Sequence, residues 1–102
     1  MSSLSHQSLR ILRLFLEDPR AEVYGADVIR NSHLLSGTVY PILFRFERLG
    51  LVTSRWEKGS PQKLGRPRRR LYRITGEGVR VARRALQELA LPISLAPATG
   101  RA

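Results

Sequence analysis

The stretch that decides the fold is Ser36-Gly37-Thr38-Val39-Tyr40-Pro41-Ile42-Leu43-Phe44-Arg45-Phe46-Glu47-Arg48-Leu49-Gly50. Val39, Ile42, Leu43, Phe46 and Leu49 recur at i, i+3, i+4, i+7 and i+10, the stripe an amphipathic helix turns toward a core. Gly50 stands where a glycine past the last turn ends a helix, because it enters the left-handed region without a Cβ penalty. Pro41 selects the start. Counted from Thr38 it falls in the first turn, where no internal N–H bond is lost; counted from Ser36 it lies deeper and costs one. Thr38 is therefore the expected N-cap, with Ser36 and Gly37 in a turn before it. Such a helix turns Val39, Leu43 and Phe46 inward and leaves Thr38, Tyr40, Arg45 and Arg48 nearer solvent.

Downstream of Gly50 the pattern changes from helical to alternating. Residues 51–57 (Leu-Val-Thr-Ser-Arg-Trp-Glu) and 69–74 (Arg-Arg-Leu-Tyr-Arg-Ile) are β-branched and aromatic, and both read as strands. Between them residues 59–67 are rich in Gly and Pro and carry Lys63 and Arg66, which predicts a hairpin with a long basic loop. Trp56 and Tyr72 could stack on bases, as single-strand binders do, but an aromatic pair across a hairpin is more often core packing, which is the expectation. Thr75 then caps a last helix beginning near Gly76, with Val79, Ala82, Leu86 and Leu89 on one face. Pro92 is expected to end it, leaving a loose tail.

Upstream, Ser5 is the expected cap of a first helix over about 6–17, on the spacing of Leu9, Leu12, Phe15 and Leu16. Asp18-Pro19 stops it, since the residue before proline is pushed out of the α region. Glu22, Val23 and Tyr24 suggest a short extended segment. Gly25 opens a second helix through Ala26, Val28 and Ile29 to about Ser32. The order ααα-ββ-α, mainly α with a small β-hairpin, is that of a winged helix-turn-helix. The expected organisation is one domain over residues 1–91, its terminal helices included, and a flexible tail over 92–102.

The chain has 102 residues, 18 Lys and Arg, 8 Asp and Glu, no cysteine and a net charge of +10. No disulfide framework, thiolate-bound metal or thiol nucleophile is available. No apolar run is long enough to span a membrane. The acid-free first sixteen residues superficially suit a transit peptide, but their apolar spacing is that of an ordinary helix. His6 and His33 lie far apart without neighbouring carboxylates, so no metal is expected. No catalytic triad spacing or phosphate-binding glycine loop is present, and neither enzymatic activity nor a cofactor is expected.

The charge is local. Residues 1–44 and 85–102 each sum to zero, while residues 45–84 hold thirteen bases against Glu47, Glu57 and Glu77, which is the entire +10. Eleven of those thirteen are arginine, whose planar fork matches phosphate oxygens and guanine edges. Self-repelling charge in one segment points to a polyanionic partner, with nucleic acid first. A solvated basic face is the plainer alternative.

Several of these residues also form a recognisable pattern. Tyr24-Gly25, the run Ser36-Gly37-Thr38-Val39-Tyr40-Pro41-Ile42-Leu43 with Arg45, Glu47 and Gly50-Leu51-Val52, then Trp56, Gly65-Arg66-Pro67-Arg68-Arg69, Tyr72-Arg73-Ile74-Thr75 and Gly78 resemble the PadR-like winged-helix transcriptional regulators. The resemblance covers about residues 9–86. It implies a dimeric DNA-binding regulator, most often a repressor, whose third helix reads operator DNA and whose first and last helices join the protomers. It departs at the C-terminus, where many relatives carry a longer helical dimerisation region.

On these grounds the expected contacts to double-stranded DNA are Ser36, Gly37, Thr38, Tyr40, Arg45 and Arg48 on the third helix. Lys63, Arg66, Arg68 and Arg69 join them from the hairpin. Leu12, Leu16, Ala82, Leu86 and Leu89 are the expected homodimer contacts, and a two-fold dimer would match a palindromic operator. The expected location is the bacterial cytosol or nucleoid. Two other functions fit the charge: an architectural or recombination accessory protein that bends DNA, and a protein-interaction module with a basic wing.

Overall fold

Eight elements follow the chain in a computed structural model, which describes the backbone of residues 4–98 and the side chains of residues 4–89. They are α1 (His6–Leu16), β1 (Val23–Tyr24), α2 (Gly25–Ser32), α3 (Ser36–Arg48), β2 (Val52–Trp56), α4 (Pro61–Leu64), β3 (Arg70–Ile74) and α5 (Gly76–Ala98). Ser5 caps α1, its hydroxyl oxygen accepting from the Ser8 N–H at 3.1 Å. Thr75 caps α5 in the same way, accepting from the Gly78 N–H at 2.9 Å.

The start of α3 differs from the sequence expectation. The helix begins at Ser36, its N-cap is Leu35, and no side chain caps it. Thr38 sits inside the first turn, where its N–H and that of Val39 both donate to the Leu35 carbonyl, at 2.9 and 3.0 Å. Pro41 therefore lies within the helix and denies the Gly37 carbonyl its i+4 donor. Gly37 is exposed, so the lost bond falls at the solvent-facing start of the helix.

The three strands form one antiparallel sheet in the order β1-β3-β2. In the hairpin Val52 pairs with Ile74, Ser54 with Tyr72 and Trp56 with Arg70. The short segment at Val23–Tyr24 is a true edge strand, pairing with Tyr72 and Leu71. Its role in closing the sheet is not visible in two residues of sequence.

Two further expectations are corrected. The basic loop contains a turn of helix, α4. Ser60 caps it, its hydroxyl oxygen accepting from the Lys63 N–H at 3.2 Å, Pro61 opens it, and Gly65 closes it at φ +73°. Serine cap, proline first and glycine last is the usual asymmetry of a helix, so the signal was present in Ser60-Pro61 and Gly65. At the other end, α5 does not stop at Pro92 but continues to Ala98. Proline's fixed φ is compatible with a helix, which loses one hydrogen bond there without having to end.

The core is built by α1, α2, α3, the sheet and the first half of α5. Ile11, Leu12, Val39, Leu43 and Ala82 are completely buried, with Phe46, Val52, Val28 and Ile74 around them. Burying each of the larger side chains contributes roughly 1.5–3 kcal/mol relative to exposure. Glycine is required at position 78, where α5 crosses the end of the α3–β2 connection and an added Cβ would stand 2.1 Å from the Leu51 carbonyl oxygen.

Candidate nucleic-acid interface

The turn between α2 and α3 is held from both sides. His33 ends α2 in the left-handed conformation at φ 62°. The Ser32 hydroxyl oxygen accepts from the Leu34 N–H at 3.2 Å, and Arg10 donates to the Ser32 carbonyl at 3.1 Å. α3 leaves this turn with Ser36, Gly37, Tyr40, Phe44, Arg45 and Arg48 exposed and Thr38 half-buried. Among the described residues, neither Arg45 nor Arg48 has a carboxylate partner. Arg48 lies over the Phe44 ring at 5.9 Å.

Tyr40 is locked against α2 because residue 25 has no side chain: a Cβ there would meet the Tyr40 ring and hydroxyl at 2.9 Å. From this position Tyr40 borders a cleft of about 410 Å³ between α3 and the hairpin. The rest of the lining is Trp56, Arg68, Arg69 and Arg70 from the hairpin, with Tyr24, Ala26 and Tyr72 completing it. Arg70 stacks on Trp56 at 4.9 Å and Arg69 on Tyr24 at 5.1 Å. Trp56 and Tyr72 do not pair as expected. They occupy different registers, so Tyr72 is buried in the core while Trp56 is 52% exposed. Burial raises the Tyr72 phenol above its ordinary pKa by desolvating the phenolate.

Four carboxylates restrain part of the basic segment, Glu77 by pairing with Arg80 within α5 and the other three around the sheet. Glu57, the only acid between Glu47 and Glu77, takes both terminal nitrogens of Arg66 and accepts from the Arg69 backbone N–H at 2.8 Å. The Arg66 bonds hold its carboxyl below the usual range, and the pairing correspondingly raises Arg66. Arg66 thus ties the base of the hairpin together. Glu47 on α3 accepts from the Ser54 hydroxyl at 2.6 Å and faces Arg70 at 3.6 Å, which joins α3 to β2 and β3. Glu22 takes Arg55 through two bonds of 2.7 Å, which lower its pKa.

The guanidinium groups therefore do not all line one surface. Strand alternation sends Arg55 and Arg73 to the sheet face opposite Arg70. Arg80, Arg83 and Arg84 lie on α5, around a separate shallow depression. What α3 and the hairpin bring together are Arg48, Arg68, Arg69 and Arg70 bordering two adjoining depressions that share Tyr40. Lys63 is exposed on α4 and Arg45 on α3.

Of the expected dimer contacts, Leu12 and Ala82 are corrected: both are fully buried within one chain and have no surface to offer a partner. Helical spacing cannot tell a stripe facing its own core from one facing another protomer. Leu16 and Leu86 are half-buried and Leu89 is 47% exposed, the last two lining a groove with Leu9 between α1 and α5. Sequence reading passed over Leu35, 79% exposed at the head of α3, and Phe44, 62% exposed. Phe44 falls off the apolar stripe, which was the available signal.

No described helix is long and apolar enough to cross a membrane. No curated protein matches the chain. Among solved structures, the chain is similar to a PadR family transcription regulator from Clostridium difficile, with 22% identity, a TM-score of 0.73 and coverage of 91% of this chain and 96% of that one. A PadR family regulator from Eggerthella lenta gives 27% identity and a TM-score of 0.68 over 86% of this chain and 79% of that one. Bacillus subtilis PadR in complex with operator DNA gives 17% identity and a TM-score of 0.67 over 82% and 48%. The model of the transcriptional regulator PadR-like family matches residues 20–84. With more than half its length matched by that model, the chain belongs to the PadR-like family, whose members regulate transcription and are not enzymes.

Proposed function

We propose that this chain is a repressor that binds double-stranded operator DNA as a homodimer, α3 entering the major groove and the hairpin wing lying on the neighbouring backbone or minor groove. The observation that carries the reading is the cleft between α3 and the wing: Tyr40 stands on one side, Arg68 and Arg69 on the other, and no acid lines it. A helix and a wing separated by such a cleft can straddle a sugar-phosphate strand. Ser36, Gly37, Thr38, Tyr40, Arg45 and Arg48 then face the major groove, and Lys63, Arg68 and Arg69 the backbone. Arg66, already engaged by Glu57, positions the wing more than it contacts DNA.

The homodimer reading is supported by the α1–α5 groove, with Leu86 and exposed Leu89, and by the continuation of α5 to Ala98. Two-fold symmetry would set two α3 helices about 34 Å apart, one turn of DNA. The bacterial cytosol or nucleoid is the matching location.

A gel-shift titration across salt tests the proposal with the chain's own upstream DNA and a random duplex. With Lys63, Arg68 and Arg69 each neutralising one phosphate, log K falls against log salt with a slope of about −2.7 per protomer. Equal affinity for the two duplexes would refute operator recognition. Footprints in phased arrays instead of one palindrome would favour a DNA-bending accessory role.

A further inference from the structure

We infer that the cleft between α3 and the wing is a binding site for a single unstacked nucleotide, its base lying on Trp56 and its phosphate on Arg68 and Arg69. The chain has three tyrosines and one tryptophan, and all four line this cleft together with three consecutive arginines. Duplex backbone binding uses cations and needs no such concentration of rings. Aromatic faces beside cations are the chemistry that holds an unpaired base and its phosphate, because every base offers a π-face.

Arg70 stacks on Trp56 at 4.9 Å, yet Trp56 is still 52% exposed, which leaves ring surface for a second stacking partner. Arg68 has no carboxylate partner among the described residues, and the Arg69 guanidinium makes no salt bridge there, Glu57 acting on it only through space while bonding its backbone N–H. No acid lines the cleft, whereas the adjoining depression contains Glu47, which would repel a phosphate. A volume of about 410 Å³ falls within the range of small-ligand pockets. The site shares Tyr40, Arg68 and Arg69 with the duplex surface proposed above and in that respect rests on it. The nucleotide would come either from a single strand or strand end, or free from solution.

Trp56 is the only tryptophan, so its fluorescence reports on the site in the unmodified chain. The full chain is titrated with an eight-nucleotide oligothymidylate, with thymidine 5′-monophosphate and with inorganic phosphate. Saturable quenching by the oligonucleotide alone assigns the site to nucleic-acid strands. Quenching by the monophosphate as well assigns it to free nucleotides too. Quenching by neither, or equal quenching by inorganic phosphate, overturns the proposal. Anisotropy of a labelled oligothymidylate gives the second readout: Trp56→Ala weakens binding by about five-fold or more, the loss of one stacked base, and Trp56→Phe restores part of it. Unchanged affinity in a Trp56→Ala chain with wild-type circular dichroism also overturns it. Duplex binding without any oligonucleotide response defeats this inference alone, and oligonucleotide binding without operator preference defeats only the operator reading.

Discussion

Replacing Gly78 by alanine would put a Cβ 2.1 Å from the Leu51 carbonyl oxygen, 2.7 Å from Cγ1 of Ile74 and 3.0 Å from the Leu51 carbonyl carbon. Two of these atoms are backbone, so no side-chain rotation relieves the clash. α5 must retreat from Leu51 by roughly 1 Å or more to recover ordinary contact. That retreat stretches the clamp at the helix start, where the Thr75 N–H donates to the Leu51 carbonyl at 2.9 Å and the Thr75 hydroxyl donates to the Gly50 carbonyl at 2.7 Å. Overpacking costs about 1–3 kcal/mol, and weakening one hydrogen bond adds about 1 kcal/mol. The intrinsic preference of helices for alanine over glycine returns about 1 kcal/mol. The net is a loss of about 2 kcal/mol, or roughly 8–16 °C in melting temperature for a domain of this size. Gly76→Ala is the matched control: it lies in the same first turn, and no atom stands within 4 Å of its Cβ position. Thermal melts followed by circular dichroism should show Gly76→Ala at or slightly above wild type and Gly78→Ala well below. Equal melting temperatures for the two variants would refute the close approach of α5 to Leu51.

The other predictions follow from the site. Arg45→Ala should change which duplex sequences are preferred, whereas Lys63→Ala should weaken all duplexes alike and lower the salt slope by about one; identical behaviour would end the division between helix and wing. The paired carboxyls of Glu22 and Glu57 titrate below their ordinary value, so the stability they contribute is present above about pH 4.5 and disappears as pH falls through their lowered values. Acid denaturation of a Glu22→Gln, Glu57→Gln chain should be correspondingly shallower than wild type below pH 4.5, and a parallel decline would count against both pairs. Leu89→Glu should shift sedimentation toward the monomer while leaving the melting of the protomer core little changed, because Leu89 is exposed and outside that core. A dimer that survives this substitution would move the interface elsewhere.

Much of the fold was legible because its elements announce themselves locally. The stripe Val39-Ile42-Leu43-Phe46, the alternation in residues 51–57 and 69–74, and the caps Ser5 and Thr75 each lie within a few residues of what they control. The reading of α3 failed at its first turn for an informative reason. Proline's lost bond was weighed alone, whereas in the folded chain it falls on exposed Gly37 at the solvent-facing start of the helix. The site was legible as a set of residue types and less so as an arrangement. Arg66 and Lys63 look equivalent in sequence, yet one is held by Glu57 and the other, exposed on α4, has no carboxylate partner among the described residues.

By itself the sequence determined the winged helix-turn-helix order and the segment that carries the whole charge excess, since periodicity, capping and composition are properties of neighbouring residues; the family came from the resemblance of its motifs. Only the tertiary structure decided which arginines remain available. The register that places Trp56 opposite Arg70 and the approach of Glu47 to Ser54 join residues distant along the chain. A charge surrenders its field to whichever partner lies within a few ångströms, and that distance is set by the packing of α3 against the hairpin.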